Sequence, residues 1–197
     1  MKVYLVAGEP SGDKLGAELM AGLKSCAPYE LEFCGVGGPL MEEQGLTSLF
    51  PITEIAVMGI GEILAKYSFL KKRIKNTVDN ILRLKPDVLI TIDAPEFSLR
   101  VAKMVRKKLF INTIHYVAPT VWAWRPNRAK KISGYVDHIL ALFPFEPPYM
   151  HREGISCDFV GHPVANENLP EPSLVKKFRQ QHKICLLYTS PSPRDSC

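Results

Sequence analysis

The stretch Val3-Tyr-Leu-Val-Ala-Gly-Glu-Pro-Ser-Gly-Asp13 decides the fold. Its apolar run breaks off at Gly8 into a short polar turn, and Leu15, Leu19 and Leu23 then recur at helical spacing. It reads as strand, turn and amphipathic helix. In a parallel sheet, ligands settle beyond the carboxyl ends of the strands, where helix N-termini aim free N–H groups and the positive end of the dipole. Gly8 and Gly12 permit a sharp turn and close approach of backbone to ligand, Ser11 offers a hydroxyl, and Asp13 is placed to cap the helix. The turn is not the dinucleotide fingerprint G-x-G-x-x-G, and Gly-rich turns occur in most doubly wound domains, so by itself it leaves ligand contact open.

Downstream, strand-like and helix-like segments alternate, which predicts an α/β class with a doubly wound, mainly parallel sheet. Strands are expected at 2–7, 31–35, 88–92, 111–117, 138–142 and 158–160. Helices are expected at 14–25, along a long, bent stretch whose apolar stripe runs from Ile60 to Leu82, at 97–108 and 127–135, and in a short piece beginning within 143–148. Past Pro163 the pattern weakens: 167–172 reads as a linker, 174–182 as a short helix and 183–187 as the start of a new strand. The expected division is an N-terminal domain over 1–165, a linker and the start of a second domain over 166–187, and a tail over 188–197.

With 197 residues, 46% hydrophobic and 23% charged, the chain suffices for one sizeable core. No apolar run has the length of a membrane span, and Met1-Lys2-Val3 leads directly into a strand, so a cytoplasmic chain is expected. Cys26, Cys34, Cys157, Cys185 and Cys197 show no C-x-x-C spacing and read as buried reduced thiols; the histidines show no ligand pairing, so no metal is implied. A net charge of +5 gathers in three clusters: Lys66, Lys71, Lys72, Arg73 and Lys75; Arg100, Lys103, Arg106, Lys107 and Lys108; Arg125, Arg128, Lys130 and Lys131. Such clusters are solvated helix faces, or contacts for nucleic acid or anionic lipid. Without interleaved aromatics or a recognition signature, they argue against nucleic acid as a partner.

Several polar groups fall at expected strand ends. Asp93 closes the run Val88-Leu-Ile-Thr-Ile92 and precedes Ala94-Pro95, a position suited to a general base for a sugar hydroxyl, to a ribose anchor, or to a cap on the next helix. His115 lies within a strand, either as a satisfied core histidine or as a site residue. Trp122 and Trp124, with Arg125 behind them, form a platform for sugars or acyl chains, or simply pack beneath a loop.

Seven blocks in order carry a specific resemblance: Ala7-Gly-Glu-Pro-Ser-Gly-Asp13, Gly35-Val-Gly-Gly-Pro39, Ala56-Val-Met-Gly-Ile60, Ile92-Asp-Ala-Pro-Glu-Phe97, Ile114-His-Tyr-Val-Ala-Pro-Thr-Val-Trp-Ala-Trp-Arg125, Leu142-Phe-Pro-Phe-Glu146 and Phe159-Val-Gly-His-Pro163. Together they resemble the amino-terminal half of the lipid-A-disaccharide synthases, from Lys2 to about Leu187. The resemblance implies a GT-B architecture, in which two Rossmann-like domains face a cleft. It also implies inverting transfer from UDP-2,3-diacylglucosamine to 2,3-diacylglucosamine 1-phosphate, without metal or other cofactor. Asp93 matches the proposed catalytic aspartate of the family; Glu9, Ser11, Gly12, His115, Trp122, Trp124 and Arg125 are the candidates for substrate contact. A nucleotide-sugar epimerase and a non-catalytic nucleotide- or RNA-binding module are the alternatives.

After Leu187 the family continues into a Gly-Ser-Arg loop that begins donor recognition, whereas this sequence runs Tyr188-Thr-Ser-Pro-Ser-Pro-Arg-Asp-Ser-Cys197. The chain therefore reads as an inactive acceptor half with a non-native tail. Acylated substrates imply peripheral association with the inner membrane, and Val57, Met58 and Phe69, flanked by Lys71, Lys72 and Arg73, are expected to meet an anionic surface. The full-length form is compatible with a homodimer.

Overall fold

The computed structural model describes residues 1–56, 63–119, 127–166, 170–182 and 184. The chain divides into two compact units, Met1–Pro163 and Val164–Cys197. In the first unit the strands are β1 (Lys2–Ala7), β2 (Glu32–Val36), β3 (Thr47–Ser48), β4 (Val88–Ile92), β5 (Asn112–Tyr116), β6 (His138–Ala141) and β7 (Ser156–Phe159). The described helices there are α1 (Pro10–Cys26), α2 (Pro39–Glu43), α3 (Thr53–Ala56), α4 (Ile63–Leu84), α5 (Ser98–Arg106), α6 (Asn127–Ile132) and α7 (Pro147–His151). The second unit holds α8 (Pro172–Gln181), which has no buried residue.

All seven strands form one parallel sheet in the order β3-β2-β1-β4-β5-β6-β7. The chain builds outward from β1 to β3, then crosses back through α4 to place β4 on the other side of β1. Winding direction thus reverses between β1 and β4, and a doubly wound sheet opens its ligand crevice at such a switch point. Parallel strands covered on both faces need near-continuous apolar runs. β1 and β4 supply them, each buried everywhere but at its first residue.

One face packs Tyr4, Val6 and Leu89 against Ile74, Val78 and Ile81 of α4 and Val101 and Val105 of α5. The other sets Val3, Leu5, Ile90 and Ile92 against Leu15 and Met20 of α1 and Met41 of α2. Ile74, Val78 and Ile81 recur at helical spacing, are at most 3% exposed, and each contributes about 1.5–3 kcal/mol of burial. A third cluster fixes α6 and α7 beside β6 and β7 through Ile132, Ile139, Met150 and Cys157.

Several expectations need correction. Helix α1 begins at Pro10, whose fixed φ suits a first helical position, so Asp13 lies inside it and cannot be its cap. Instead its carboxylate, 4% exposed, accepts the backbone N–H groups of Gly38 (2.8 Å), Met41 (3.0 Å) and Leu40 (3.1 Å) at the start of α2. β3 and α2 had no periodic signal, because elements of two and five residues are too short to show one. Pro172 opens α8 rather than closing a linker. Cys26 is exposed, whereas Cys157 is buried and Cys34 half-buried. Ile60, the expected strand 183–187 apart from Ile184, and the tail 188–197 lie outside the described residues.

Candidate active site

Register brings the strand ends level. Ala7 pairs with Ile92, Ile92 with Tyr116, and Tyr116 with Leu140. The ladder runs one step further, Asp93 N–H donating to the Tyr116 carbonyl and Val117 N–H to the Leu140 carbonyl, both at 3.0 Å. Asp93 and the turn after β1 therefore meet at the switch point.

Gly8 determines how closely they meet. Its φ is not positive, so no turn requires glycine there; the need is for space, since a Cβ would stand 2.7 Å from the Cβ of Ala94. With the turns in contact, the carboxyls of Glu9 and Asp93 are neighbours. Burial first, then the hydrogen bond to Glu9 and its charge, hold the Asp93 carboxyl above the usual carboxylate range, while a bond from the Ala94 backbone N–H works in the opposite sense. Ser11, exposed on the first turn of α1, donates its hydroxyl to Glu9 Oε1 at 3.1 Å.

Asp93 does not cap α5. That helix has Phe97 at its N-cap and no side-chain cap, and Ser98 Oγ instead donates to the Asp93 carbonyl. Asp93 (φ 43°), Ala94 (φ 42°) and Val117 (φ 79°) all occupy left-handed backbone at this edge, which costs of order 1–3 kcal/mol per residue. A β-branched residue such as Val117 is seldom found there. Strain of this kind persists where surrounding contacts over-determine it, and it clusters at ligand sites.

The other expected site residues fare differently. His115, 1% exposed, takes the core alternative: its Nδ1 lies 2.9 Å from Thr91 Oγ1, its partner in register, and no surface is left for a substrate. Gly12 is buried within α1, where a Cβ would stand 3.4 Å from Ala7 Cβ. Trp122, Trp124 and Arg125 lie outside the described residues, as do Val57 and Met58. Phe69, Lys71 and Lys72 are exposed on α4. Arg73 is not a free surface cation: it pairs with Glu54 and covers the rings of Phe50 and Phe69 at 4.7 and 5.0 Å. The partnership of Glu9 with Asp93 had no signal in the sequence, because strand register alone brings them together.

The parallel sheet and its switch point define a class of fold, the Rossmann-like amino-terminal half of the GT-B architecture. Among solved structures, UDP-GlcNAc 2-epimerase from Neisseria meningitidis bound to UDP-GlcNAc aligns with a TM-score of 0.62 at 14% identity, over 94% of this chain and 54% of that one. The lipopolysaccharide outer core galactosyltransferase WaaB aligns at 0.54 and 16%, over 87% and 50%. Both likenesses are of fold. The Lipid-A-disaccharide synthetase family model matches residues 3–191, and the chain belongs to that family. Lipid-A-disaccharide synthases of Ruegeria pomeroyi, Rhodospirillum centenum and Rhodopseudomonas palustris strain HaA2 are 58%, 49% and 45% identical to it, over 85%, 92% and 99% of its length. The chain spans 41%, 45% and 50% of those relatives. Among the described residues, no helix is long and apolar enough to cross a membrane.

Proposed function

We propose that the chain is the acceptor side of an inverting glycosyltransferase that joins UDP-2,3-diacylglucosamine to 2,3-diacylglucosamine 1-phosphate, giving lipid A disaccharide 1-phosphate and UDP. The observation that carries this reading is the position of Asp93, a carboxyl at the switch point that is spared from capping and held in strained backbone. In one displacement the acceptor hydroxyl oxygen bonds to the anomeric carbon, the bond to UDP breaks with its electron pair going to the phosphate oxygen, and Asp93 takes the hydroxyl proton. Family membership supports the substrate class. The proposed division is an acceptor domain over 1–165, with 166–187 leading into a second domain.

The groups that hold UDP belong, on this reading, to the part of the relatives beyond the aligned region. The 197-residue chain alone is therefore expected to make no disaccharide and to give no calorimetric signal with UDP. Tight UDP binding would overturn that division and make the turn at Glu9 a nucleotide site.

Acylated substrates must also reach the cleft from a bilayer, and the exposed side chains around Tyr67 and Lys72 of α4 are the proposed contact. Tyr67 and Phe69 are 46% and 40% exposed, with Lys71 and Lys72 beside them, and Val57 and Met58, outside the described residues, are proposed to act with them. Each lysine near an anionic surface contributes about 1 kcal/mol, so Lys71→Gln with Lys72→Gln should weaken co-sedimentation with phosphatidylglycerol vesicles by roughly thirty-fold. Equal sedimentation of both proteins would remove this face from the membrane.

A further inference from the structure

Glu9 sits at the N-cap of α1 with extended backbone (φ −156°, ψ 163°), yet its side chain makes no capping bond to that helix. Not committed to the cap, the carboxyl neighbours that of Asp93. Two carboxyls can hydrogen-bond only when one of them carries a proton. The 17-residue helix directs its positive end at Glu9 and favours negative charge there, and the Ser11 hydroxyl donates to Oε1.

We propose that Glu9 is a positioning residue for Asp93, its carboxyl held by the Ser11 hydroxyl and set beside the Asp93 carboxyl across the contact between the two turns. This rests on Asp93 acting as the base in the reaction above, and it reassigns Glu9 from substrate contact to a role exercised through Asp93. The chemistry is that of paired carboxyls, in which like charge opposes the second ionisation. Burial and then the neighbouring Glu9 make Asp93 hold a proton more strongly than a lone aspartate would, which suits it to take one from a sugar hydroxyl.

The geometry is over-determined from several elements. Gly8 in the β1–α1 turn permits contact with Ala94, Ser98 of α5 holds the Asp93 carbonyl, and Tyr116 of β5 holds its N–H. The other ionisable groups nearby are turned elsewhere: His115 to Thr91 across the strand pair, and Glu96 to Arg100 on α5. Among the described residues, Glu9 is the charged side chain that acts on Asp93.

Carboxyl-carbon NMR of the 197-residue chain, labelled at aspartate and titrated with pH, tests this without any turnover. Asp93→Asn identifies the Asp93 resonance by its loss. In the unaltered chain that resonance should titrate above the ordinary aspartate range, and in Glu9→Gln its midpoint should move down toward that range. Ser11→Ala should move it in the same direction but less, because Ser11 acts only through Glu9. The remaining aspartate resonances report whether each variant is folded, and Glu9→Ala is a second route to the same loss of charge. An Asp93 midpoint unmoved in folded Glu9→Gln or Glu9→Ala overturns the pairing, as does an ordinary midpoint in the unaltered chain. The catalytic reading fails separately, through retained turnover in Asp93→Asn.

Discussion

Replacing Asp93 with asparagine in a protein of its relatives' full length is expected to lower kcat by about 10²- to 10⁴-fold, the usual contribution of a positioned general base. Asparagine keeps the size and one acceptor oxygen but takes no proton. The fold should survive, and there is a stringent check on that. Burial and Glu9 raise the Asp93 pKa in the folded chain, so the stability linked to this group is fully present below the unfolded pKa and is lost as pH rises through the folded one. The variant escapes that loss. Its melting temperature at pH 7–8 should equal or exceed that of the unaltered protein, and any advantage should vanish toward pH 3. Turnover within a few-fold of the unaltered enzyme would remove Asp93 from the chemistry, whereas lost turnover with a lowered Tm would point to damaged structure.

The architecture was legible wherever periodicity was long enough to read. β1 and β4 lie at their expected residues because buried parallel strands are continuous apolar runs between polar turns. Ile74, Val78 and Ile81 mark the buried face of α4 in the same way. The position of Asp93 was legible too, since a carboxyl directly after such a strand falls at the ligand edge whatever the rest of the chain does. Its neighbours were not. Glu9 meets Asp93 only because β1 and β4 are adjacent with Ala7 opposite Ile92, and local sequence does not encode a pairing between residues so distant in chain order. His115 was ambiguous for a related reason: Thr91, the partner that satisfies it, lies on another strand. Left-handed backbone at Val117 contradicts the propensity of a β-branched residue, so no reading of propensity could have found it.

Asp13 is where sequence reasoning identified a cap and attached it to the wrong helix, and it carries the largest expected effect on stability. Its carboxylate accepts three backbone N–H groups, of Gly38, Leu40 and Met41, at 2.8–3.1 Å, and it also lies in the first turn of α1, where a negative charge complements the dipole. Gly38 fits tightly against it, since a Cβ there would stand 2.5 Å from Oδ2. Asp13→Ala leaves three amide donors without their acceptor at a site where the aspartate is 4% exposed. Each such loss costs about 1–3 kcal/mol, and water reaching the more exposed Leu40 end recovers part of the total. A net loss of about 3 kcal/mol follows, or roughly 6–12 °C in Tm for a domain of this size. Asp13→Asn keeps one acceptor oxygen and should lose only about 1 kcal/mol, close to an ordinary capping contribution. Chemical denaturation of the three proteins distinguishes the causes. If alanine and asparagine cost the same, the charge rather than the cap is what α2 requires; if alanine costs under about 0.5 kcal/mol, the bridge from α1 to α2 is dispensable.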